Sequence, residues 1–570
     1  MERIGLTAST APALAAGAAR LALSEEYGWR SAVAGRLTVW FKGYLYAQPS
    51  AVAAARHLAG RLGQGAVPDV ATLRRLFAEL DGHFALAVEG PGWALAAIDR
   101  VRSIPLFYAE DNGVWVIDSH ARRLKERLGL DLDHVDPETA LVLGMSGFAL
   151  GRKTLFRGLS ALQVGEFVLF RPGREPEPHR HYVYRPRPTS AESGTQRRDL
   201  AELTLAILEK TVASADGRQI VVPLSAGLDS RLIASGLAHL GYRDVRCFAY
   251  GLRGSHEVEA SRRIAERLGF PWTFVEHTPA SQRALFAGED FQAYLRFADT
   301  LDAVPFVQDI AAVRWLRNSG FADRDAIFIN GQSGDYISGN HIPAVLFAPD
   351  PSLDDEGRRR RVSDALIAKH YSLWGYLKTA RTLDWLRDQL WADVRAAGAD
   401  LGPPEEDFAL YELSEWQNRQ SKYVVAGQRC YDFFGFDWRL PLWDMEYLDF
   451  WSAAPLAAKR RRSLFREMLF DEDWGGVWRG WEFPRRIVPA WIRPLRFVAK
   501  LAHAPLGRER WHRFERRYFA YSMDLVANYV IAPYARVRAD QREHRNAVSW
   551  IVEAWLTDKG LGLDGRPLGG

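Results

Sequence analysis

Cysteine is nearly absent from this chain of 570 residues, which has only Cys247 and Cys430, and neither stands in a CxxC pair or near a histidine cluster. That scarcity excludes a disulfide framework and a cysteine-based zinc site, and it fits a reducing, cytoplasmic setting. Long apolar runs are missing as well. No stretch reaches the roughly 18 uninterrupted apolar residues of a membrane span, and the Ala-rich segment from Thr7 to Ser24 is broken by Arg20, which makes it a poor signal peptide. Nor is there an excess of one charge. With 74 Lys and Arg against 70 Asp and Glu the formal charge is +4, too even to argue for a nucleic-acid partner and better suited to a small-molecule substrate. No internal repeat is visible, and the length calls for at least two hydrophobic cores.

What is present begins with Ile220-Val221-Val222-Pro223-Leu224-Ser225-Ala226-Gly227-Leu228-Asp229-Ser230-Arg231. An apolar strand runs into a turn of small residues, and Leu232, Ile233, Leu237 and Leu240 then recur at helical spacing. The turn therefore sits at a helix N-terminus, where free N–H groups and the helix dipole favour an anion. Gly227 permits close backbone approach, Ser225 and Ser230 offer hydroxyl donors, and Asp229 is a candidate Mg²⁺ ligand beside phosphates. The plainer alternative is an ordinary strand-to-helix turn with a capping serine.

Three later segments repeat the pattern of a short apolar strand ending in polar residues. Cys247-Phe248-Ala249-Tyr250-Gly251 precedes Glu257, Glu259 and a helix, as in a βαβ unit. Ala326-Ile327-Phe328-Ile329 leads into Asn330-Gly331-Gln332-Ser333-Gly334-Asp335, and Arg439-Leu440-Pro441-Leu442-Trp443-Asp444 precedes the basic run Lys459-Arg460-Arg461-Arg462. Taken in order, these segments resemble the ATP-pyrophosphatase loop and following motifs of the asparagine synthetase family. The resemblance implies an α/β fold with a parallel-sheet, PP-loop synthetase domain bearing helical additions. It further implies that ATP and pyrophosphate are held by Leu224, Ser225, Gly227, Asp229, Ser230, Tyr250, Asn330 and Gly331, that Mg²⁺ lies between Asp229 and Asp335, and that Asp335 and Arg462 are catalytic.

Three positions depart from the family pattern. Ala226 replaces a loop glycine, Gln332 stands where Glu is usual, and Arg462 stands where the family has Lys. Arginine cannot shuttle a proton, but it stabilises developing pyrophosphate charge. The basic run also admits a plain reading as a solvated face. Within Glu415-Trp416-Gln417-Asn418-Arg419-Gln420-Ser421-Lys422, a helical spacing puts Arg419 and Lys422 on one face, where they would clamp an acidic substrate; Glu259 is a further substrate candidate, and Asp309 and His341 are weaker ones. This region is similar to that of synthetase-like proteins encoded with bacterial surface-polysaccharide genes, which implies amidation of a sugar acid.

The amino-terminal third reads as short alternating strands around Leu80 to Ala87, Ala97 to Arg100, Ile104 to Tyr108 and Val114 to Ser119. The motif Asp81-Gly82-His83-Phe84-Ala85-Leu86-Ala87 with Asp99-Arg100 and Pro105-Leu106-Phe107-Tyr108 resembles the same family's glutaminase domain, an N-terminal-nucleophile (Ntn) αββα sandwich. Its chemistry is expected to be missing. The chain starts Met1-Glu2-Arg3 without the nucleophilic cysteine, and Lys42-Gly43-Tyr44 replaces the expected Asn-Gly-Glu clamp. The division expected is residues 1–183 for this domain, 184–198 for a polar connector and 199–570 for the synthetase domain. The leading function is an ATP-dependent ligase that adenylates aspartate or a uronic acid and transfers ammonia, with ammonia or a partner supplying nitrogen and a homodimer as one expected state. Two alternatives stay open: an intramolecular amide-forming cyclase of the β-lactam synthetase or lasso-peptide type, and a non-catalytic interaction protein. The aromatic residues near the end, including Trp474, Trp478, Trp491 and Trp511, are expected to be packing residues.

Overall fold

The computed structural model describes residues 18–63, 65–188 and 193–568. The start Met1-Glu2-Arg3, most of the Ala-rich segment and residues 189–192 of the expected connector lie outside the described residues. Ten strands build the amino-terminal region: β1 (Ala19–Leu21), β2 (Arg30–Ala34), β3 (Leu37–Leu45), β4 (Gly82–Gly90), β5 (Trp93–Ile98), β6 (Phe107–Asp111), β7 (Val114–Asp118), β8 (Leu159–Ala161), β9 (Glu166–Phe170) and β10 (Glu177–Arg180). Six of them form an antiparallel sheet ordered β10-β9-β5-β4-β3-β2, and the others a smaller sheet ordered β1-β7-β6-β8 in which β1 joins β7 in parallel.

Period-2 alternation decides how the two sheets stack. In β5, Trp93, Leu95 and Ala97 point into a core shared with the helices Ala51–Leu62 and Val70–Ala78. The intervening Ala94, Ala96 and Ile98 enter a second core, where Phe170, the cross-strand partner of Ala94, meets Tyr108 of the smaller sheet with ring centroids 5.5 Å apart and Ile117, opposite Tyr108, shares its face. The helix Ala121–Arg127 packs against β6, β7 and β8 of that sheet. The result is the helix–sheet–sheet–helix sandwich expected of an Ntn-type domain.

Strands β11 (Ile220–Pro223), β12 (Val245–Gly251), β13 (Trp272–Glu276), β14 (Ile327–Ile329) and β15 (Asp437–Arg439) form one parallel sheet ordered β13-β12-β11-β14-β15. Ile220, Val221 and Val222 and their neighbours Ile327, Phe328 and Ile329 are fully buried, as continuous apolar strands covered on both faces must be. From β11 the chain moves outward through β12 and β13, then returns to the opposite side for β14 and β15. The order therefore reverses between β11 and β14, and the crevice outside their carboxyl ends is where open α/β sheets bind ligands. The helix entering β11 spans Ser193–Ala213, so it starts inside the stretch expected as connector. Beyond β15 the chain is helical.

Candidate functional site

The first loop hangs between β11 and the helix Leu228–His239, with Gly227 at its N-cap position. Ser225 N–H donates to Ser230 Oγ at 3.0 Å, the two hydroxyls are 3.0 Å apart, and Gly227 N–H donates to Ser225 Oγ at 3.1 Å. Both serines thus shape the turn as well as line it. Ala226 does not have a positive φ, so its methyl group causes no backbone strain. Its N–H donates to Glu257 Oε2 at 2.7 Å and its carbonyl accepts from Arg231 Nη2 at 2.9 Å. Leu224 N–H donates to Phe248 O at 2.8 Å, which anchors the loop to β12.

The second loop leaves β14 and touches the first. A Cβ on Gly331 would lie 2.6 Å from the Asp229 carbonyl carbon and the Ser230 nitrogen, and one on Gly334 would lie 2.6 Å from Asp229 Oδ1. Only glycine permits that approach. The Asp335 charge and backbone both act on the Asp229 carboxylate, so the two candidate metal ligands are neighbours. Asn330 Oδ1 accepts from Gln332 N–H at 3.2 Å and Asn330 Nδ2 donates to Tyr431 Oη at 3.4 Å. Tyr250, at the end of β12, donates its hydroxyl to Asp309 and stacks on His277 with ring centroids 5.0 Å apart.

Arg462 closes the site from the far end of the chain. Its guanidinium ion-pairs with Asp229, and its Nε donates to Ser338 Oγ at 2.7 Å. Arg461 and Arg462 both adopt left-handed backbone, φ 53° and 60°, at the start of the helix Ser463–Glu472. Such conformations cost on the order of 1–3 kcal/mol each and persist where surrounding contacts impose them. Burial pushes the Asp229 carboxyl up to about 6, Arg462 opposes that shift and the Asp335 charge adds to it. For Asp335, burial acts upward but is outweighed by the His341 hydrogen bond and charge, which hold it at about 2. His341 Nε2 lies 3.0 Å from Asp335 Oδ2, and its Nδ1 bonds the buried Glu415. Among the described residues no group of three or more His, Cys, Asp or Glu is arranged to hold a metal alone. Two adjacent carboxylates do match the partial protein donor set that Mg²⁺ takes when phosphate oxygens complete its shell.

Other expected site residues lie elsewhere. Glu259 is exposed and pairs with Arg262 at 3.1 Å; Glu257, in the first turn after the capping Ser255, is the acid that reaches the loop. Arg419 stays near the second loop, 3.4 Å from Glu415. Lys422 does not join it, because residues Trp416–Val424 form a π-helix, whose wider turn removes the i, i+3 face that an α-helix would give. Lys422 is instead buried at the seam between the two domains, where Nζ donates to Ala149 O at 2.7 Å and Gly151 O at 2.6 Å. The basic run likewise splits: Arg460 and Arg461 are exposed, while Lys459 and Arg462 are buried.

Burial lowers the Lys422 ammonium to about 8 from an ordinary 10.5, with Asp302 opposing the shift. Between those values the unfolded chain binds the proton and the folded one does not, so this group's contribution to stability rises with pH. The stability difference between wild type and Lys422→Met, measured by urea denaturation, is expected to move toward wild type by about 3 kcal/mol from pH 8 to 10.5. A difference independent of pH would show that the group stays charged.

The asparagine synthase family model matches residues 205–471, a segment that contains both loops, the parallel sheet and Arg462. No curated protein matches the chain. Among solved structures, NMN synthetase from Francisella tularensis is 13% identical with a TM-score of 0.20, over 40% of this chain and 94% of its own. An allosteric regulatory enzyme of purine biosynthesis is 12% identical with a TM-score of 0.17, over 43% of this chain and 62% of its own. Glutamine phosphoribosylpyrophosphate amidotransferase from B. subtilis, complexed with ADP and GMP, is 13% identical with a TM-score of 0.17, over 53% of this chain and 63% of its own. This chain spans less than two thirds of either of the last two. The fold stands on its strand order.

Proposed function

With residues 205–471 matched to the asparagine synthase family, we propose that the protein is an ATP-dependent amide-forming ligase that adenylates a carboxylate, aspartate or a sugar uronic acid, and transfers ammonia to it. The supporting observation is the convergence of Asp229, Asp335 and Arg462 at the switch point between β11 and β14. An acceptor carboxylate oxygen bonds to the α-phosphorus of ATP as the bond to the bridging oxygen breaks and pyrophosphate leaves. Ammonia then attacks the acyl carbonyl, AMP leaves, and the proton from nitrogen passes to solvent.

The chain's own residues bind, orient and stabilise charge. The Ser225–Ser230 loop receives phosphate oxygens at the helix N-terminus, and Arg462 turns from Asp229 toward the departing pyrophosphate. Mg²⁺ held by Asp229 and Asp335 would supply neutralisation of phosphate charge. Gln332 Oε1 is buried without a hydrogen-bond partner, a neutral acceptor suited to an incoming N–H. The amino-terminal domain serves as support rather than as a glutaminase. Lys42 pairs with Asp432 at 3.1 Å, Tyr44 Oη lies 2.7 Å from His83 Nδ1, and burial pushes the thiols of Cys247 and Cys430 up, away from nucleophilic character.

The test measures pyrophosphate and AMP from MgATP with a panel of carboxylates, with ammonia or glutamine added separately. Acceptor-dependent AMP with ammonia alone is expected. Release of ADP and phosphate, or no nucleotide cleavage with any acceptor, would overturn the reading.

A further inference from the structure

The helix Ile492–His503 is attached to the protein by a narrow stripe. Ile492 and Ala499 pack into a small cluster with Trp511, Phe514 and Phe519. Its broad apolar face is turned to solvent: Trp491, Leu495, Phe497, Val498, Leu501 and the following Leu506 are each 47–65% exposed. A surface helix of a globular protein normally buries that face. Arg493, Arg496 and Lys500 flank it, and with Arg485 and Arg486 they border an open groove that Phe497 and Leu501 also line.

The charge here is lopsided. From Arg485 to Arg517 there are ten Arg or Lys and two Glu, although the whole chain carries only +4. Arg496 is engaged by Glu515, Nε to Oε1 at 2.6 Å, whereas Arg485, Arg486 and Lys500 have no acidic partner among the described residues. A second copy docked on this face would bring two such cationic segments together. A nucleic acid would match the cations but leave Leu495, Val498 and Leu501 without the stacking that single strands use. A basic amphipathic helix lying in the plane of an anionic bilayer satisfies both features, with apolar side chains among the acyl chains and cations at the headgroups.

We propose that the helix Ile492–His503 docks this protein on the surface of a membrane containing anionic lipid. With twelve residues it lies on the bilayer, since a span needs about 20, and among the described residues no helix is long and apolar enough to cross one. The segment leading into it is bonded to the helix behind the first loop: Arg231 donates to Val477 O at 3.2 Å, and its guanidinium stands 5.5 Å from the Phe483 ring centroid. Docking therefore holds the nucleotide loop and the bilayer in one connected piece.

The full chain is sedimented with vesicles of phosphatidylcholine alone and of phosphatidylcholine with phosphatidylglycerol, at low and high salt. Binding is expected only to the anionic vesicles, weaker at high salt, with about fivefold loss on Lys500→Gln and at least about tenfold loss on Phe497→Glu. Both side chains are exposed, and unchanged melting curves confirm that the variants fold. Three results overturn the proposal: no binding to anionic vesicles, binding unaffected by Phe497→Glu, or a wild-type dimer in sedimentation equilibrium that Phe497→Glu dissociates. Equal, Phe497-insensitive affinity for single-stranded DNA and vesicles would assign the patch to simple polyanion attraction.

Discussion

Asp229→Asn is expected to lower acceptor-dependent pyrophosphate release by about 100- to 1,000-fold, the usual effect of removing one preorganised charge from a site of this kind, and to leave the melting temperature nearly unmoved. The two halves of that expectation share a cause. The Asp229 carboxylate is destabilised in the fold by burial and by Asp335, and stabilised by Arg462. At neutral pH an acid whose folded pKa is raised weakens the fold, so neutralising it relieves a cost that offsets the lost ion pair. Asp335→Asn should match the loss of activity. Its carboxylate is stabilised by His341, so here some stability goes as well. Wild-type pyrophosphate release in Asp229→Asn would remove the site from this crevice.

The largest stability effect is expected at Lys459. Its ammonium and Glu412 are 2.7 Å apart and both side chains are fully buried, with Tyr184 Oη 3.3 Å away. Lys459→Met leaves the Glu412 charge unpaired, which costs roughly 3–5 kcal/mol, a large part of a protein's net stability. Lys459→Met with Glu412→Leu removes both charges and should recover most of the loss, because apolar packing often replaces a buried ion pair at little net cost. Urea midpoints of the wild type, single and double variants decide the matter. A single variant as stable as the wild type would mean that water reaches the pair.

The sequence made the parts with local causes legible. A continuous apolar strand, small turn residues and a helical stripe within twenty positions mark the first loop, and the second loop repeats the signal after Ile329. The short strands between Leu80 and Ser119 likewise mark an antiparallel sheet, and the resemblance of Asp81 to Tyr108 to a glutaminase domain supplies the sandwich. The misplaced residues failed for a different reason, since their positions are set by contacts remote in sequence. Lys422 satisfies a helical spacing that its π-helix does not follow, and it answers carbonyls more than 270 residues away. Glu257 and Glu259 are equivalent by composition, and only the direction of their helix separates them. In the basic run, Lys459 and Arg462 at its ends are buried and the two arginines between them exposed, which charge patterning cannot resolve. Trp474, Trp478 and Trp511 are buried as aromatic packing predicts, but Trp491 is 61% exposed, because the helix it opens presents only a minor stripe to its neighbours.

The pairing of Arg462 with Asp229 joins positions 233 residues apart, and it has a consequence for how the protein is made. At about 5–20 residues per second, the ribosome delivers the first loop roughly 10–50 s before the arginine that completes it. β14 is also synthesised after β13, although it belongs next to β11 at the centre of the sheet. Until it arrives, the edge of β11 that β14 occupies in the finished sheet has no partner strand. A chain stopped short of residue 462 can therefore retain the strand, loop and helix that announce a nucleotide site, yet lack its closing charge, and its exposed β11 edge would be open to pairing with other chains.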